Sequence, residues 1–283
     1  YELEFYMDES MSDEEAEAGY VLTCQMIPES DCVLRVPTSS AACKTAPEAV
    51  EGEVLAVETL SETSFSLKLK MAKLMGFLPG QYVNVTVPGT GQHRSYSFSS
   101  APGSDEATFL IRNLPGGVMS SYLGERAKPG DQVTLTGPMG AFYLRPIERN
   151  QLWLAGGTGL APFLSMLEQL AEQGTDQPIK LYYAVTRAAD LVELDRVNAL
   201  AEKIGNVIVV TVLAAEDEAH DRKGFVTDHL SAEDLCGGDC DVYLCGPPPM
   251  VDAVRSHFDT LGVAPVSFHY EKFNPTETSA EAA

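Results

Sequence analysis

Between residues 53 and 136, short apolar segments alternate with turns that are rich in glycine and proline. Six of these segments have the length and composition of β-strands, at residues 53–58, 64–70, 81–87, 94–99, 108–112 and 132–136. One helical pattern interrupts them at residues 118–126, directly after Pro115-Gly116-Gly117. Six short strands with a single helix predict a small all-β antiparallel barrel.

From residue 150 onward, apolar strands alternate with longer amphipathic stretches. Strands are predicted at residues 152–154, 179–185, 207–213, 241–245 and 267–270. Helices are predicted near residues 161–172, 191–204 and 250–261, with a weaker one near 227–235. This alternation is typical of an α/β domain whose parallel sheet is covered by helices on both faces.

The N-terminal part of the chain has a third pattern. Its first five residues, 1–5, alternate like a strand inside a fold, so we expect the chain to begin within a domain. An acidic stretch at residues 12–19 then predicts a short helix, because Ser12 and Glu15 have the spacing of a capping box. An apolar strand at residues 20–24 follows.

The charge of the chain excludes some classes of partner. With 19 Lys and Arg against 41 Asp and Glu, the net charge is −22, so nucleic acid is a poor partner and an electropositive protein is a good one. No apolar run approaches the ~20 residues that a bilayer span needs. We therefore expect a cytoplasmic protein that does not bind a membrane.

The six cysteines are spread thinly over 283 residues, which predicts a reducing compartment rather than a disulfide framework. Cys236 and Cys240 are close in sequence but lack the second pair of ligands that a tetrahedral metal site needs. We interpret them as part of a loop before a strand.

The strongest chemical signal is the segment Arg94-Ser95-Tyr96-Ser97-Phe98-Ser99. We expect this strand to place Arg94, Ser95 and Ser97 on one face and Tyr96 with Phe98 on the other. A flavin needs an aromatic ring against its isoalloxazine, a hydroxyl near N5 and a cation near its pyrophosphate, and this strand offers all three. Taken alone, the segment is equally compatible with an edge strand that carries a solvated arginine.

The turn that opens the first helix is the second signal. Gly116 and Gly117 permit close approach of the backbone, the first helical N–H groups are free, and the Ser120 hydroxyl is near. Such a turn can bind a phosphate, although a merely capped helix has the same pattern.

Two further turns follow strands of the predicted parallel sheet. Gly156-Gly157-Thr158-Gly159 joins the first strand to a helix that begins near Pro162, which is the dinucleotide position of such sheets. Cys245-Gly246-Pro247 ends another strand, where Cys245 would face the ligand crevice. A buried strand end before a stiff proline entry is the alternative interpretation of the second turn.

These four motifs, in this order, resemble those of the ferredoxin–NADP reductase superfamily over about residues 52–273. The resemblance implies that the chain binds FAD in the barrel and NADH in the α/β domain. The cofactor-binding residues that it implies are Arg94, Ser95, Tyr96, Ser97, Ile111, Arg112, Gly117, Val118, Met119, Ser120, Gly156, Gly157, Thr158, Gly159, Pro162, Thr186, Asp190, Cys245, Gly246, Pro247 and Met250.

The same resemblance implies roles in hydride transfer from NADH to the flavin. Ser97 and Cys245 would line the transfer, and Glu271 and Phe273 would approach the flavin from the other side. Asp190 would favour NADH by accepting a hydrogen bond from a ribose hydroxyl. The nearby Arg187 could instead bind the 2′-phosphate of NADPH.

Near the N-terminus, residues 20–25 resemble the end of a plant-type ferredoxin, with Cys24 as the fourth ligand of a [2Fe–2S] cluster. The C-x4-C-x2-C spacing of the other three ligands is absent, so this chain alone would not hold the cluster. The resemblance implies a parent protein whose ferredoxin segment was removed or not included. We expect a ferredoxin remnant at 1–46, an FAD-binding barrel at 47–148, an NAD-binding domain at 149–275 and a tail at 276–283.

The order ferredoxin, FAD, NADH resembles that of reductase components of oxygenases. It implies electron transfer from NADH through FAD to a 2Fe-2S centre and on to a terminal oxygenase of the Rieske type, with benzoate 1,2-dioxygenase expected. Monooxygenases that act on phenol, toluene or methane are alternative partners, and a redox-silent docking module is an alternative function. A subunit like that of dihydroorotate dehydrogenase is disfavoured because no cysteine follows Cys245.

Overall fold

The computed structural model of the protein describes residues 2–3, 19–21, 26–27, 30, 33, 46–215 and 218–273. The chain divides into two compact units, residues 1–41 and 42–283. In the first unit, strand β1 (Glu2–Leu3) pairs antiparallel with β2 (Met26–Ile27). Most of the helix predicted at residues 12–19, the proposed cluster ligand Cys24, and Cys32 and Cys43 lie outside the described residues.

A six-stranded antiparallel sheet forms the first half of the second unit, in the order β6-β5-β8-β3-β4-β7. Its two edge strands meet through a bridge between Phe98 and Phe109, so the sheet curls into a barrel, as predicted. Its strands are β3 (Glu48–Ser61), β4 (Ser64–Met71), β5 (Tyr82–Thr86), β6 (His93–Ser97), β7 (Glu106–Arg112) and β8 (Gln132–Met139).

Alternating apolar residues of these strands fill the barrel, because successive side chains of a strand point to opposite faces. Leu67, Leu69 and Leu135 are among its fully buried core residues. Helix α1 (Val118–Glu125) packs against this core with Met119 and Tyr122, which fixes the position of its first turn.

A five-stranded parallel sheet forms the second half, in the order β11-β10-β9-β12-β13. Two apolar clusters cover its two faces, since alternate residues such as Trp153 and Leu154 belong to different clusters. The strands are β9 (Asn150–Gly156), β10 (Ile179–Val185), β11 (Val207–Leu213), β12 (Cys240–Gly246) and β13 (Ser267–Lys272), and the helices are α2 (Ala161–Gln173), α3 (Leu194–Ile204) and α4 (Pro248–Leu261). The predicted α/β domain with a parallel sheet is confirmed.

The structure corrects two predicted helices. The segment predicted as a weak helix at 227–235 forms two short 3₁₀ segments, Val226–His229 and Ala232–Gly238, because Leu230 between them is extended. Helix α3 begins at Leu194 rather than at residue 191, since Glu193 has a left-handed backbone (φ 59°) that an α-helix cannot contain.

Within the described residues, no helix is long and apolar enough to cross a membrane. The same residues contain no group of three or more His, Cys, Asp or Glu side chains that could hold a metal ion.

Candidate functional site

A cleft of about 900 Å³ lies between the barrel and the parallel sheet. The barrel contributes strand β6 and the start of α1, and the parallel sheet contributes the carboxyl ends of its strands β9, β10 and β12. The cleft is within the size range of pockets that bury small-molecule ligands. It therefore brings together the four motifs that are far apart in the sequence.

Strand β6 presents its residues differently from the prediction. Arg94 and Tyr96 lie opposite Val85 and Val83 of β5, whereas Ser95 and Ser97 lie opposite Asn84 and Tyr82. The predicted grouping of Arg94 with Ser95 and Ser97 is wrong, because a strand has a side-chain period of two residues. Tyr96 instead shares a face with Arg94 and packs on the barrel core.

Two arginines of the cleft have no acidic partner among the described residues. The guanidinium of Arg94 donates to the His93 carbonyl (2.7 Å) and the Gln92 side chain (3.0 Å), and no carboxylate of a described residue lies within ion-pair distance of it. Arg112 also lines the cleft without an ion pair in this part of the chain. Unpaired cations in a chain with 41 acidic residues mark this end of the cleft as suited to an anion.

The turn before α1 has the backbone of a phosphate site. Gly116 has a positive φ of 72°, and a side chain at Gly117 would place its Cβ 3.0 Å from the Leu114 carbonyl oxygen. The first turn of the helix has no side-chain cap, so the N–H groups of Val118 and Met119, residues that line the cleft, have no intrahelical acceptor.

The hydroxyl of Ser120 makes hydrogen bonds within the turn itself. It accepts a hydrogen bond from the Leu114 N–H (2.8 Å) and donates to the Arg112 carbonyl (3.4 Å). The Ser120 hydroxyl, expected to lie near a bound phosphate, is therefore engaged within the turn, and the backbone N–H groups are the available donors.

The glycine turn after β9 divides into a part that lines the cleft and a part that packs. Gly156, Gly157 and Thr158 line the cleft. Gly159 does not, because it sits against strand β12: a Cβ on it would lie 2.2 Å from the Cys245 carbonyl oxygen. Pro162 is buried in the first turn of α2 and also lies outside the cleft lining.

Cys245 is fully buried and does not line the cleft. It lies directly across from Glu271 in the pairing of β12 with β13. Burial, together with the Glu271 charge, raises the pKa of the Cys245 thiol well above its usual range. The expectation that Cys245 faces the crevice is thus not met: its thiol is held neutral behind the site.

Glu271 extends from the edge strand into the cleft. The Ser97 hydroxyl donates to its Oε2 across 3.4 Å, and this contact joins the barrel to the parallel sheet. Burial raises the pKa of Glu271 from 4.5 to about 7. Phe273 follows it on the cleft wall, where its N–H donates to the Gly246 carbonyl (3.0 Å).

The other end of the cleft is closed by a contact that the sequence did not predict. Asp190 lines the cleft, and its Oδ1 accepts a hydrogen bond from the Thr63 hydroxyl (2.5 Å) in the hairpin between β3 and β4. Its Oδ2 accepts the Arg187 N–H (3.3 Å). Thr186 lines the cleft beside it, whereas the Arg187 side chain is not part of the lining.

Of the predicted residues, those that line the cleft are Arg94, Ser95, Tyr96, Ser97, Arg112, Gly117, Val118, Met119, Ser120, Gly156, Gly157, Thr158, Thr186, Asp190, Pro247, Met250, Glu271 and Phe273. Those that lie behind it are Ile111, Gly159, Pro162, Cys245 and Gly246. Ile111 points into the barrel core, as the alternation of β7 requires.

Sequence reasoning missed Phe225, which lines the cleft and leaves 70% of its surface exposed. It also missed Tyr82 and Leu110 on the barrel side. The sequence did contain a signal that Phe225 has a functional role, because an aromatic residue is unusual in a polar, glycine-containing loop. Without the fold, however, nothing connected that loop to the cleft.

These residues fit a flavin dinucleotide and a nicotinamide dinucleotide. The unpaired Arg94 and the glycine turn suit a pyrophosphate, and Tyr96 offers a ring. The second glycine turn lies at the carboxyl edge of the parallel sheet, where such sheets bind dinucleotides. The cleft can therefore hold two ring systems face to face and orient them.

Comparisons with known proteins agree with this geometry. Residues 52–143 match the family described as the oxidoreductase FAD-binding domain, and residues 153–256 match the oxidoreductase NAD-binding domain. The toluate 1,2-dioxygenase electron transfer component of Pseudomonas putida is 52% identical over 95% of this chain and 81% of its own length. The 2-halobenzoate 1,2-dioxygenase electron transfer component of Burkholderia cepacia is 44% identical over 96% of this chain and 81% of its own length.

Among solved structures, an Amycolatopsis cytochrome P450 reductase superposes with a TM-score of 0.76 at 32% identity, covering 95% of this chain and 83% of that chain. The chain belongs to the ferredoxin–NADP reductase superfamily of FAD- and NAD-binding oxidoreductases, as an electron-transfer reductase.

Proposed function

We propose that the protein transfers electrons from NADH through FAD to a [2Fe–2S] centre, and that the final acceptor is a terminal oxygenase of the Rieske type that hydroxylates an aromatic acid. The proposal is supported by the toluate and 2-halobenzoate dioxygenase components among its relatives. Benzoate 1,2-dioxygenase is the partner that we favour, because both relatives serve dioxygenases of ring carboxylates.

The FAD would lie along β6 and the first turn of α1. Arg94 and the N–H groups of Val118 and Met119 would bind its pyrophosphate, since the guanidinium is unpaired and the amides have no intrahelical acceptor. Tyr96 would stack on the flavin, and the Ser97 hydroxyl would lie near its reacting edge.

The NADH would enter from the parallel sheet. Gly156, Gly157 and Thr158 would receive its pyrophosphate, and Pro247 and Met250 would border it from the next strand. The exposed ring of Phe225 would stack on the adenine, because a water-exposed aromatic residue on a cleft wall offers an open face to a planar base.

When bound, FAD would supply the hydride-accepting and one-electron chemistry that the chain lacks. The chain itself would supply orientation: Glu271 and Phe273, which line the cleft, would lie against the nicotinamide, and the Ser97–Glu271 hydrogen bond would hold a proton between barrel and sheet. Cys245 would act from behind, as an uncharged neighbour of Glu271. The single observation that carries the proposal is that one cleft is lined by both dinucleotide motifs.

Preference for NADH over NADPH would come from Asp190. Its carboxylate lines the cleft, where it would accept a ribose hydroxyl and repel a 2′-phosphate. The Arg187 side chain lies outside the lining, which weakens the case for a phosphate site.

The iron–sulfur step is proposed on the names of the relatives and on Cys24. We propose Cys24 as one cluster ligand in the parent protein, within an N-terminal ferredoxin remnant at residues 1–46. The FAD-binding barrel would then extend over residues 47–148 and the NAD-binding domain over residues 149–275.

The test is anaerobic reduction of the purified protein. We expect a yellow protein, or a colourless one that takes up added FAD, whose flavin absorbance bleaches with NADH faster than with NADPH. Arg94→Met should raise the dissociation constant of FAD about 10- to 100-fold, because a charge-assisted hydrogen bond is lost. Arg222→Met, an exposed arginine outside the cleft, is the matched control and should bind FAD normally. A protein that refuses FAD, or whose flavin does not bleach with NADH, would refute the proposal.

A further inference from the structure

Residues 99–101 of the barrel, which we call the clamp segment, continue directly from the cleft strand β6 and lie against helices α2 and α3 of the other half. The Ser99 carbonyl accepts a hydrogen bond from Nη2 of Arg196 (2.7 Å). The Ser100 carbonyl accepts one from the hydroxyl of Ser165 (2.7 Å). Three consecutive residues are held in this way, because the Ala101 N–H also donates to a carboxylate oxygen of Glu168 (2.6 Å).

Arg196 is the centre of these contacts. Besides Ser99, its Nη2 bonds Oε1 of Glu168 (2.6 Å), and its Nη1 bonds Oε2 of Glu193 (3.3 Å). The planar guanidinium therefore joins α2, α3 and the barrel in one geometry, which a flexible ammonium cannot reproduce.

A strained residue belongs to the same network. Glu193 has a positive φ of 59°, a conformation that is unfavourable for a residue other than glycine, and it stands directly before α3. Its carboxylate bonds Arg196, so the surrounding structure holds the backbone of Glu193 in place.

On its other side, the clamp segment is fixed to the barrel. The Ser99 N–H donates to the Thr108 carbonyl (2.8 Å), and the Thr108 N–H donates to the Ser100 hydroxyl (3.1 Å). The segment is thus a rigid connection from the nucleotide domain to strands β6 and β7. Both strands line the cleft with Ser97, Leu110 and Arg112.

Besides the clamp segment, the halves are joined by the hydrogen bonds Thr63–Asp190 and Ser97–Glu271 and by apolar packing. Leu110 and Phe142 pack into the core cluster that contains Phe163 and Leu164 of α2. Such contacts hold the two halves together but do not fix their angle, because apolar packing is not directional. The hydrogen bonds of the clamp segment are directional, and they lie two residues from Ser97.

We propose that Arg196 is a positioning residue that sets the approach of the nicotinamide ring to the flavin by locking the clamp segment to α2 and α3. The proposal rests on the proposed function, in which one ring is held by each half of the cleft. Hydride transfer needs its two reacting atoms about 3–3.5 Å apart, and a misplacement of about 1 Å can cost about 100-fold in rate. The residue does not touch either ring; it acts through the orientation of the two halves.

The experiment is anaerobic stopped-flow reduction of the FAD-loaded full chain by NADH, for wild type, Arg196→Met and Arg196→Lys. Methionine keeps the apolar stem and removes every hydrogen bond, whereas lysine keeps the charge without the fork. Lys203→Met is the matched control, since Lys203 is an exposed cation on the same helix with no ion pair to a described residue.

For Arg196→Met, we expect the limiting rate of flavin reduction to fall about 10- to 100-fold. The long-wavelength charge-transfer absorbance of the stacked rings should weaken. The FAD content and the dissociation constant of NADH should change less than about twofold, and the flavin potential should match that of wild type. Arg196→Lys should be intermediate and Lys203→Met should match wild type.

A limiting rate and charge-transfer band within twofold of wild type for both Arg196 variants would overturn the proposal. If Arg196→Met does not fold, Ser165→Ala, which removes one buried hydroxyl, replaces it, and an unchanged rate in that variant and in Arg196→Lys has the same meaning. A wild-type protein that NADH does not reduce would refute the proposed function instead, so the two failures are distinguishable.

Discussion

At the scale of single residues, Glu271 is an acidic group whose surroundings disfavour its charged form. It is a carboxyl group in a cleft wall, beside a fully buried thiol and a serine hydroxyl. Burial raises its pKa from 4.5 to about 7, so the folded protein holds a proton here that the unfolded chain releases near pH 4.5. The buried position of Glu271 therefore lowers the free energy of unfolding at neutral pH.

The sign of that cost can be tested. Between about pH 4.5 and pH 7 the folded state binds more protons than the unfolded state, so the free energy of unfolding falls as pH rises through this window. This pKa shift lowers the free energy of unfolding by about 3 kcal/mol above pH 7 and does not change it below pH 4.5. Glu271→Gln should therefore be more stable than wild type at pH 8 by up to about 3 kcal/mol and nearly equal to it at pH 5.

Urea unfolding at several pH values measures this difference, and Glu202→Gln on the exposed face of α3 is the control. The difference between variant and wild type is the quantity to compare, because His269 has a pKa lowered to about 4 by burial and titrates with the opposite sign. A difference that does not grow with pH would contradict the assignment to Glu271.

At the scale of elements, the position of the nucleotide turn depends on how closely it packs on β12. Gly159 lies in the 3₁₀ turn that connects β9 to α2, and its missing side chain lets the turn touch the backbone of Cys245. Strands β9 and β12 are direct neighbours, with Ala155 opposite Cys245. The turn and the strand end are therefore one unit, and a glycine that binds no ligand can still decide where its neighbours lie.

We expect Gly159→Ala to move this turn, because the new Cβ would lie 2.2 Å from a carbonyl oxygen that cannot rotate away. The dissociation constant of NADH should rise at least about tenfold, while FAD binding on the barrel is kept. Gly76→Ala is the control, since its Cβ would enter open space and its φ is not positive. Equal NADH affinity in the two variants, measured by anaerobic titration, would contradict this prediction.

At the scale of the whole molecule, the acidic charge is the dominant feature. A net charge of −22 produces repulsion between surface carboxylates that ion pairs such as Lys68–Glu106 cannot balance, because bases are outnumbered 19 to 41. Self-repulsion of this kind opposes the compact state and keeps copies of the protein apart. It also favours encounter with an electropositive partner.

Salt should therefore stabilise the protein. Raising NaCl from about 10 to about 150 mM shortens the screening length from about 30 to about 8 Å, which weakens repulsion between distant carboxylates. We expect an increase in Tm of about 2–4 °C, equivalent to about 1 kcal/mol. Glu202→Lys, which lowers the net negative charge by two at an exposed site, should raise Tm in low salt and reduce the salt effect. A Tm that falls with salt would mean that attractive ion pairs outweigh the net charge.

The local pattern of the sequence determined most of the fold. The period-two strands between Glu48 and Met139, the alternation of strands and helices after Asn150, and the glycine turns at Gly117 and Gly156 are properties of neighbouring residues, which backbone geometry translates directly into elements. The prediction of a helix at residues 227–235 is wrong, because the carboxylates of Asp228 and Asp234 accept backbone N–H groups and stabilise two short turns instead.

Only the tertiary structure decided which of the predicted residues reach the cleft. Cys245 and Gly159 belong to the correct motifs but pack on each other, and Asp190 is held by Thr63, which is 127 residues away along the chain. Arg196 carried no motif at all, and its contact with the Ser99 carbonyl exists only because two domains meet. Sequence patterns indicate which element a segment forms and which chemistry its side chains could supply. Contacts between segments that are distant in the chain decide which of those side chains are accessible in the cleft.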